Sequence, residues 1–355
     1  MVKIFISNSK YSKISVGVRR MGKYLLPAIL AVLLFACQEE LVPRDNAVYI
    51  IGPVDIPEKP EWGEIKVLDS PVFISPDKIA FLCLYNQLPD NDNCAIFVCT
   101  VNLDGSHFYC IPDSFQQASH IDYLGYQRLS ATADGSRLLL TLICEGEGRL
   151  YILFIENGDV YDLQTPAGQV VNPDASISPN GESVAYTTIE GLWKMNKDGG
   201  NAQLLVPADY SLGQVTKYPS WAPDGSKLCF DMQGYNQEED RVYDWICLVS
   251  ADGGEVEKIV CGGMEPSFSS DGEYITYVSD GQFGQDRAIF KVSVEGGSPM
   301  QITYPPEYYS YGYGPLQGDA VPVYSPDGET IVFRSDVRTE PEPCEGASLW
   351  KINLE

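Results

Sequence analysis

Apolar and polar positions along the chain fall into short alternating runs broken by turn residues, and the runs recur in a fixed order. Six times an apolar run meets a Ser/Ala/Thr-Pro-Asp-Gly-like turn and continues into a second apolar run: Phe73 to Phe81, Ser130 to Leu140, Ser176 to Tyr186, Ser220 to Phe230, Ser267 to Tyr277 and Val323 to Phe333. Pro presets φ at the start of such a turn, Asp or Asn bonds its own backbone, and Gly takes the positive φ that closes a hairpin. Each segment therefore predicts a pair of antiparallel strands. A third apolar run follows every pair, as in Leu192-Trp-Lys-Met-Asn-Lys-Asp-Gly199 and Trp245-Ile-Cys-Leu-Val-Ser-Ala-Asp-Gly253. In five of the six units a short outer run comes next, such as Gln203 to Val206 or Val256 to Val260.

The turn Asp or Asn stands at 77, 134, 180, 224, 271 and 327, in steps of 57, 46, 44, 47 and 56 residues. Strand signals repeating at that period predict an all-β, six-bladed β-propeller. The sixth unit reaches Glu355 with three strands, which leaves an open sheet edge unless another segment pairs there. Glu64-Ile-Lys-Val-Leu-Asp69, just before the first inner strand, is expected to complete the last blade and clasp the ring.

The run Pro219-Ser-Trp-Ala-Pro-Asp-Gly-Ser-Lys-Leu-Cys-Phe230, with the third strands beginning at Leu192 and Trp245, resembles the TolB-type six-bladed propeller repeat over roughly residues 62–355. Repeats of this type occur in periplasmic translocation proteins, prolyl peptidases, lyases and scaffold lipoproteins, so the resemblance implies a fold and leaves the activity open. About two dozen residues stand between the export signal and the clasp strand, where TolB carries an α/β domain.

Arg19, Arg20 and Lys23 precede the apolar stretch Tyr24 to Ala36, and Cys37 follows. Basic, apolar and small-residue parts in that order are those of a secretory signal, and Leu34-Phe-Ala-Cys37 resembles a bacterial lipobox whose Cys is acylated. The expected organisation is a lipoprotein signal over 1–36, with Met21 as an alternative start, a lipidated Pro-rich tether over 37–61, and a propeller over 62–355. Gln38 after the Cys fits outer-membrane sorting in the lipoprotein pattern.

Charge enters once that signal is set aside. The whole chain has a net charge of −25; residues 1–36 contain six of its 24 basic residues and none of its 49 acids, so the rest carries 18 basic against 49 acidic, a net of −31. Such a surface repels phosphate backbones and anionic lipid, which argues against nucleic-acid binding and leaves the lipid as the membrane contact.

Of the ten cysteines, Cys99, Cys229 and Cys247 sit at small apolar strand positions, while Cys83, Cys94, Cys99 and Cys110 crowd into blade one. An exported protein can pair two of those four, and spacing leaves the connectivity open. With His107 and His120 as the only histidines, no multi-histidine metal site and no cofactor are expected. Asp90-Asn-Asp92-Asn resembles a fragment of a calcium loop but lacks its later Glu and fixed Gly, and is read as a solvated hairpin tip. The chain contains no G-x-S-x-G elbow, H-E-x-x-H or Walker loop, and it ends where a peptidase's hydrolase domain would begin.

Function is then sought on the rim that carries the longer connections. Tyr304, Tyr308, Tyr309, Tyr311 and Tyr313 lie in one such stretch and offer stacking area and hydroxyls to a peptide or sugar; packing on their own blade is the plain alternative. Residues just before each inner strand, namely Asp69, Arg128, Asp174, Tyr218, Glu265 and Asp319, are expected to ring the channel mouth on the same face. Two functions follow from different classes. The first is a non-enzymatic, lipid-anchored propeller binding a protein, peptide or glycan partner; the second is a hydrolase or lyase using paired carboxylates among Asp174, Glu265 and Asp319.

Overall fold

Among the described residues the alternating runs become twenty-four strands in six four-stranded antiparallel sheets. The computed structural model describes residues 46–52, 55–56, 64–86, 94–111, 128–144, 147–166, 174–236, 241–279, 287–305, 318–336 and 347–354. Cys37 and the signal, Asp90 to Asn93, His120, and Tyr308, Tyr309, Tyr311 and Tyr313 lie outside them.

A strand near the N-terminus, β1 (Val48–Ile51), precedes the five blades that are continuous in sequence. Blade one comprises β2 (Glu64–Ser75), β3 (Lys78–Asn86), β4 (Cys94–Asn102) and β5 (Tyr109–Cys110). Blade two comprises β6 (Arg128–Ala131), β7 (Arg137–Cys144), β8 (Glu147–Phe154) and β9 (Val160–Leu163). Blade three follows with β10 (Ala175–Ile177), β11 (Ser183–Thr188), β12 (Gly191–Asn196) and β13 (Gln203–Pro207). Blade four has β14 (Val215–Trp221), β15 (Lys227–Asn236), β16 (Arg241–Ser250) and β17 (Glu257–Cys261). Blade five has β18 (Met264–Phe268), β19 (Tyr274–Ser279), β20 (Ala288–Ser293) and β21 (Met300–Gln301). The last blade is β22 (Asp319–Tyr324), β23 (Thr330–Ser335) and β24 (Ser348–Asn353), with β1 paired on its outer edge.

The ring is thus closed by an N-terminal strand, but by Val48–Ile51 and not by Glu64–Asp69. The expected clasp pairs instead with β3, Glu64 opposite Asn86 and Asp69 opposite Leu82, as the first half of the inner strand of blade one. Geometry explains the difference. A clasp on the outer edge must return to the channel across three strand spacings, ~14 Å, and Glu64–Asp69 runs into Ser70 with no residues to make that crossing. Val48–Ile51 leaves a dozen. It also suits the edge: Ile50 and Ile51 are buried, and Tyr49 meets the Trp350 ring edge-on at 5.4 Å. The propeller therefore includes a segment expected in the tether.

Six apolar clusters hold the blades face to face. One joins Ile50, Ile51, Val332 and Leu349 to Ile79, Phe81 and Cys99, so it packs the last blade on the first. The others lie in turn between successive blades, ending with Ile289 against Tyr324, Ile331 and Phe333. Full burial of each such Leu, Ile or Phe stabilises by about 1.5–3 kcal/mol.

The Asp and Asn of the turns are committed to the turns. Asp134 accepts from the Thr132 hydroxyl at 2.6 Å and from the Ser136 N–H at 3.0 Å, which holds its carboxyl down at about 2. Asp224, Asp271 and Asp327 accept the same N–H contact from Ser226, Glu273 and Glu329, and their carboxyls are lowered too. Gly135 shows why the turn glycine matters between blades: at φ +66° it lies so close to blade one that a Cβ would fall 1.9 Å from the Ile74 carbonyl oxygen.

Candidate functional site at the channel mouth

The inner strands enclose a central cavity of ≈ 360 Å³. It runs from Arg128, Asp174, Tyr218, Glu265 and Val321 at the mouth, past the hydroxyls of Ser130, Ser176, Ser220 and Ser267, to Pro179, Pro223 and Pro326 of the Asp-Gly turns.

The mouth residues are presented by a repeated backbone irregularity. Ser70, Tyr218, Glu265 and Val321 have φ of 50°, 50°, 54° and 53°, each is followed by a proline, and each lies where the pairing of inner and second strand slips. Non-glycine residues at positive φ cost of order 1–3 kcal/mol and collect at functional sites. Here they re-aim the residue before the proline, because a bulge displaces one residue from the ladder. In blades two and three the same place is taken by Arg128 and Asp174.

Arg128 organises the mouth. Its guanidinium is 3.2 Å from a Glu265 oxygen, 3.8 Å from Asp69, and 4.8 Å from the centre of the Tyr218 ring. Burial opposes its charge, but Glu265, Tyr218, Asp69 and Asp174 prevail and the pKa is raised. The other oxygen of Glu265 accepts the Val321 N–H at 2.9 Å. Asp69 accepts the Ser70 N–H at 2.7 Å and bonds Arg334 at 3.0 Å, and Arg334 is also 3.6 Å from Asp336. Charge-assisted bonds of this kind tie blades one, two, five and six together beneath the mouth.

Asp174 differs from the other acids at the mouth. Only 7% exposed, its carboxyl is raised to about 6 by burial, which outweighs Arg128 and a hydrogen bond from the Tyr218 N–H. Asp231, 2% exposed, is raised well above the carboxylate range by burial and by Asp244, and its Oδ1 has no hydrogen-bond partner.

Four of the six expected mouth positions, Arg128, Asp174, Tyr218 and Glu265, line the cavity together. The other two are displaced by the bulges. Ser70 and Val321 hold the equivalent places, Asp69 reaches the cluster from below through its two arginines, and Asp319 is fully buried opposite Ser335 at the start of β22, apart from the lining. Tyr304 is partly buried at the edge of the described residues. Arg334 and Asp231 were not among the expected residues. Their signal was a charge interrupting an apolar second strand, in Ile331-Val-Phe-Arg334 and Leu228-Cys-Phe-Asp231.

Around the mouth the same rim exposes apolar side chains on blades three and four. Tyr210 is 60% exposed and its hydroxyl donates to the Ile189 carbonyl; Ile189 is 47% exposed. Gly213 packs closely on Tyr235, which pairs with Val242 across the extended β15–β16 hairpin.

No family model matches the chain. A curated protein named as the uncharacterized peptidase YuxL of Bacillus subtilis (strain 168) is 28% identical over 117 residues, 32% of this chain and 16% of that protein. Among solved structures, TolB from Acinetobacter baumannii is 15% identical with a TM-score of 0.54, over 79% of this chain and 64% of TolB. An oligogalacturonate lyase from Vibrio parahaemolyticus is 13% identical with a TM-score of 0.53, over 88% of this chain and 96% of the lyase. A gluconolactonase from Xanthomonas campestris is 11% identical with a TM-score of 0.51, over 89% and 93%. The chain thus spans a small part of the peptidase and just under two thirds of TolB. At these identities the likeness concerns architecture, and by its architecture the chain is a TolB-like six-bladed β-propeller.

Proposed function

We propose that this protein is an exported, lipid-anchored and non-enzymatic propeller that binds a protein, peptide or glycan partner on the long-connection rim around the channel mouth. Acylation of Cys37 would hold it at the outer membrane. The observation that carries the reading is the commitment of the mouth's charges: Glu265 is engaged by Arg128 and the Val321 N–H, and Asp69 by two arginines. Acids so fixed position a surface and have little freedom to transfer protons. The apolar ridge of Ile189, Tyr210, Tyr235 and Val242 supplies contact area of the kind that anchors partners. Cross-linked pull-down from the native envelope, comparing wild type with a Tyr210→Ala/Tyr235→Ala double variant, is expected to lose one specific partner in the variant. Identical partner sets from both would overturn the reading.

A hydrolase or lyase is favoured by one feature, the raised carboxyl of Asp174. Its expected carboxylate partners do not serve it well, since Glu265 is ion-paired and Asp319 is apart from the cavity lining; Asp231, which was not expected, does not line it either. Turnover of a polysaccharide or lactone that Asp174→Asn abolishes, with the fold intact, would replace the binding reading by this one.

A further inference from the structure

Blade one contains a group of sulfurs that the channel mouth does not use. Cys99 and Cys110 face each other across β4 and β5 and are joined in a disulfide. Cys83 lies on the neighbouring strand β3, opposite Phe97 and hence one diagonal step from Cys99 on the same face of the sheet. The three Sγ atoms all lie within 4.8 Å of one another. Cys83 is a free thiol, fully buried in the apolar cluster with Ile79, Phe81, Phe97 and Cys99.

A free thiol beside a disulfide that shares its packing face is the arrangement from which thiol–disulfide exchange proceeds. We propose that Cys83 exchanges with the Cys99–Cys110 disulfide and thereby makes Cys110 a thiol-modification site for a disulfide or another soft electrophile. The step balances within the chain. Cys83 loses its proton and its sulfur attacks the Cys99 sulfur; the 83–99 bond forms as the 99–110 bond breaks, and the proton is taken up by the Cys110 thiolate. The number of disulfides is unchanged, so no outside oxidant or reductant enters. A later attack by Cys110 on an external disulfide gives a mixed disulfide and releases one thiol.

Position gives the exchange its consequence. Cys83 is sealed from solvent and burial raises its thiol pKa, so on its own it is a poor target for reagents and a slow nucleophile. Cys110 is only half-buried and lies on the two-residue edge strand β5, next to Tyr109, which is 54% exposed. Exchange therefore moves reactivity from the core of the blade to its outer edge.

The test is alkylation of the native, unreduced protein with iodoacetamide over ~24 h, a span suited to uncatalysed disulfide rearrangement, followed by non-reducing peptide mapping. Cys261, an exposed thiol at the end of β17, reports that the reagent is active. The expected wild-type product is alkylated Cys110 together with a Cys83–Cys99 linked peptide. In Cys83→Ala and Cys83→Ser the 99–110 bond should persist and Cys110 labelling should fall at least about tenfold. Cys110 left unlabelled while Cys261 is fully modified, equal Cys110 labelling in variants and wild type, or Cys99 linked to Cys94 in place of Cys83 would each overturn the proposal. If both variants fail to fold, the linkage found in the alkylated wild type decides it.

Discussion

Asp174 and the turn aspartates show how differently one side chain behaves in two settings. At the turns, short bonds from Thr, Ser and backbone N–H groups favour the carboxylate; at the mouth, burial favours the acid. The consequence for stability has a definite sign. Because the folded pKa of Asp174 is raised from 3.8 to about 6, ionising it penalises the folded state more than the unfolded one. Its stability contribution is complete below about pH 4 and is lost as pH rises through 6. Asp174→Asn is therefore expected to match wild type near pH 4 and to exceed it at pH 8 by up to about 3 kcal/mol. Urea denaturation at the two pH values measures this; an equal difference at both would show that Asp174 does not titrate with folding. At this scale the sequence revealed which residues gather at the mouth in four blades. It did not reveal Ser70 and Val321, since the slip at each bulge depends on how the second strand pairs.

At the scale of the element, the hairpins were legible because Pro, Asp and Gly each impose a local backbone geometry. The clasp was not, because an edge strand is chosen by what it packs against. Val48–Ile51 contributes Ile50 and Ile51 to the cluster that joins the last blade to the first. Ile51→Ala should cost about 2–4 kcal/mol. Deletion of residues 48–51 should abolish the single cooperative transition followed by tryptophan fluorescence, to which Trp350 contributes, since Tyr49 packs on that ring. A deletion variant that melts like wild type would show that the ring closes by other means. The disulfide follows the same logic. Four cysteines in one blade left the pairing open, and cross-strand register then placed Cys99 and Cys110 with Cα atoms 4.0 Å apart.

For the molecule as a whole, the ring makes residues far apart in sequence into neighbours. Arg334 bonds Asp69, and Arg128 bonds Glu265, through contacts that exist only once the last blade docks on the first and the channel closes. In the function proposed above, strong net negative charge and acylation of Cys37 would make lipid the membrane contact. Detergent-phase partitioning of the protein made in a bacterial host should place wild type in the detergent phase and Cys37→Ala in the aqueous phase. Equal partitioning would remove the lipid anchor from the proposal.

The sequence by itself determined the number of blades, the hairpins within them and the rim on which the longer connections lie, because turn chemistry and strand alternation act over a few residues. Only the tertiary structure decided which N-terminal strand closes the ring, which acids at the mouth are tied into ion pairs and which remains raised, and which sulfurs meet. Those outcomes depend on burial and on distances across strands and blades, which come into being when the ring closes.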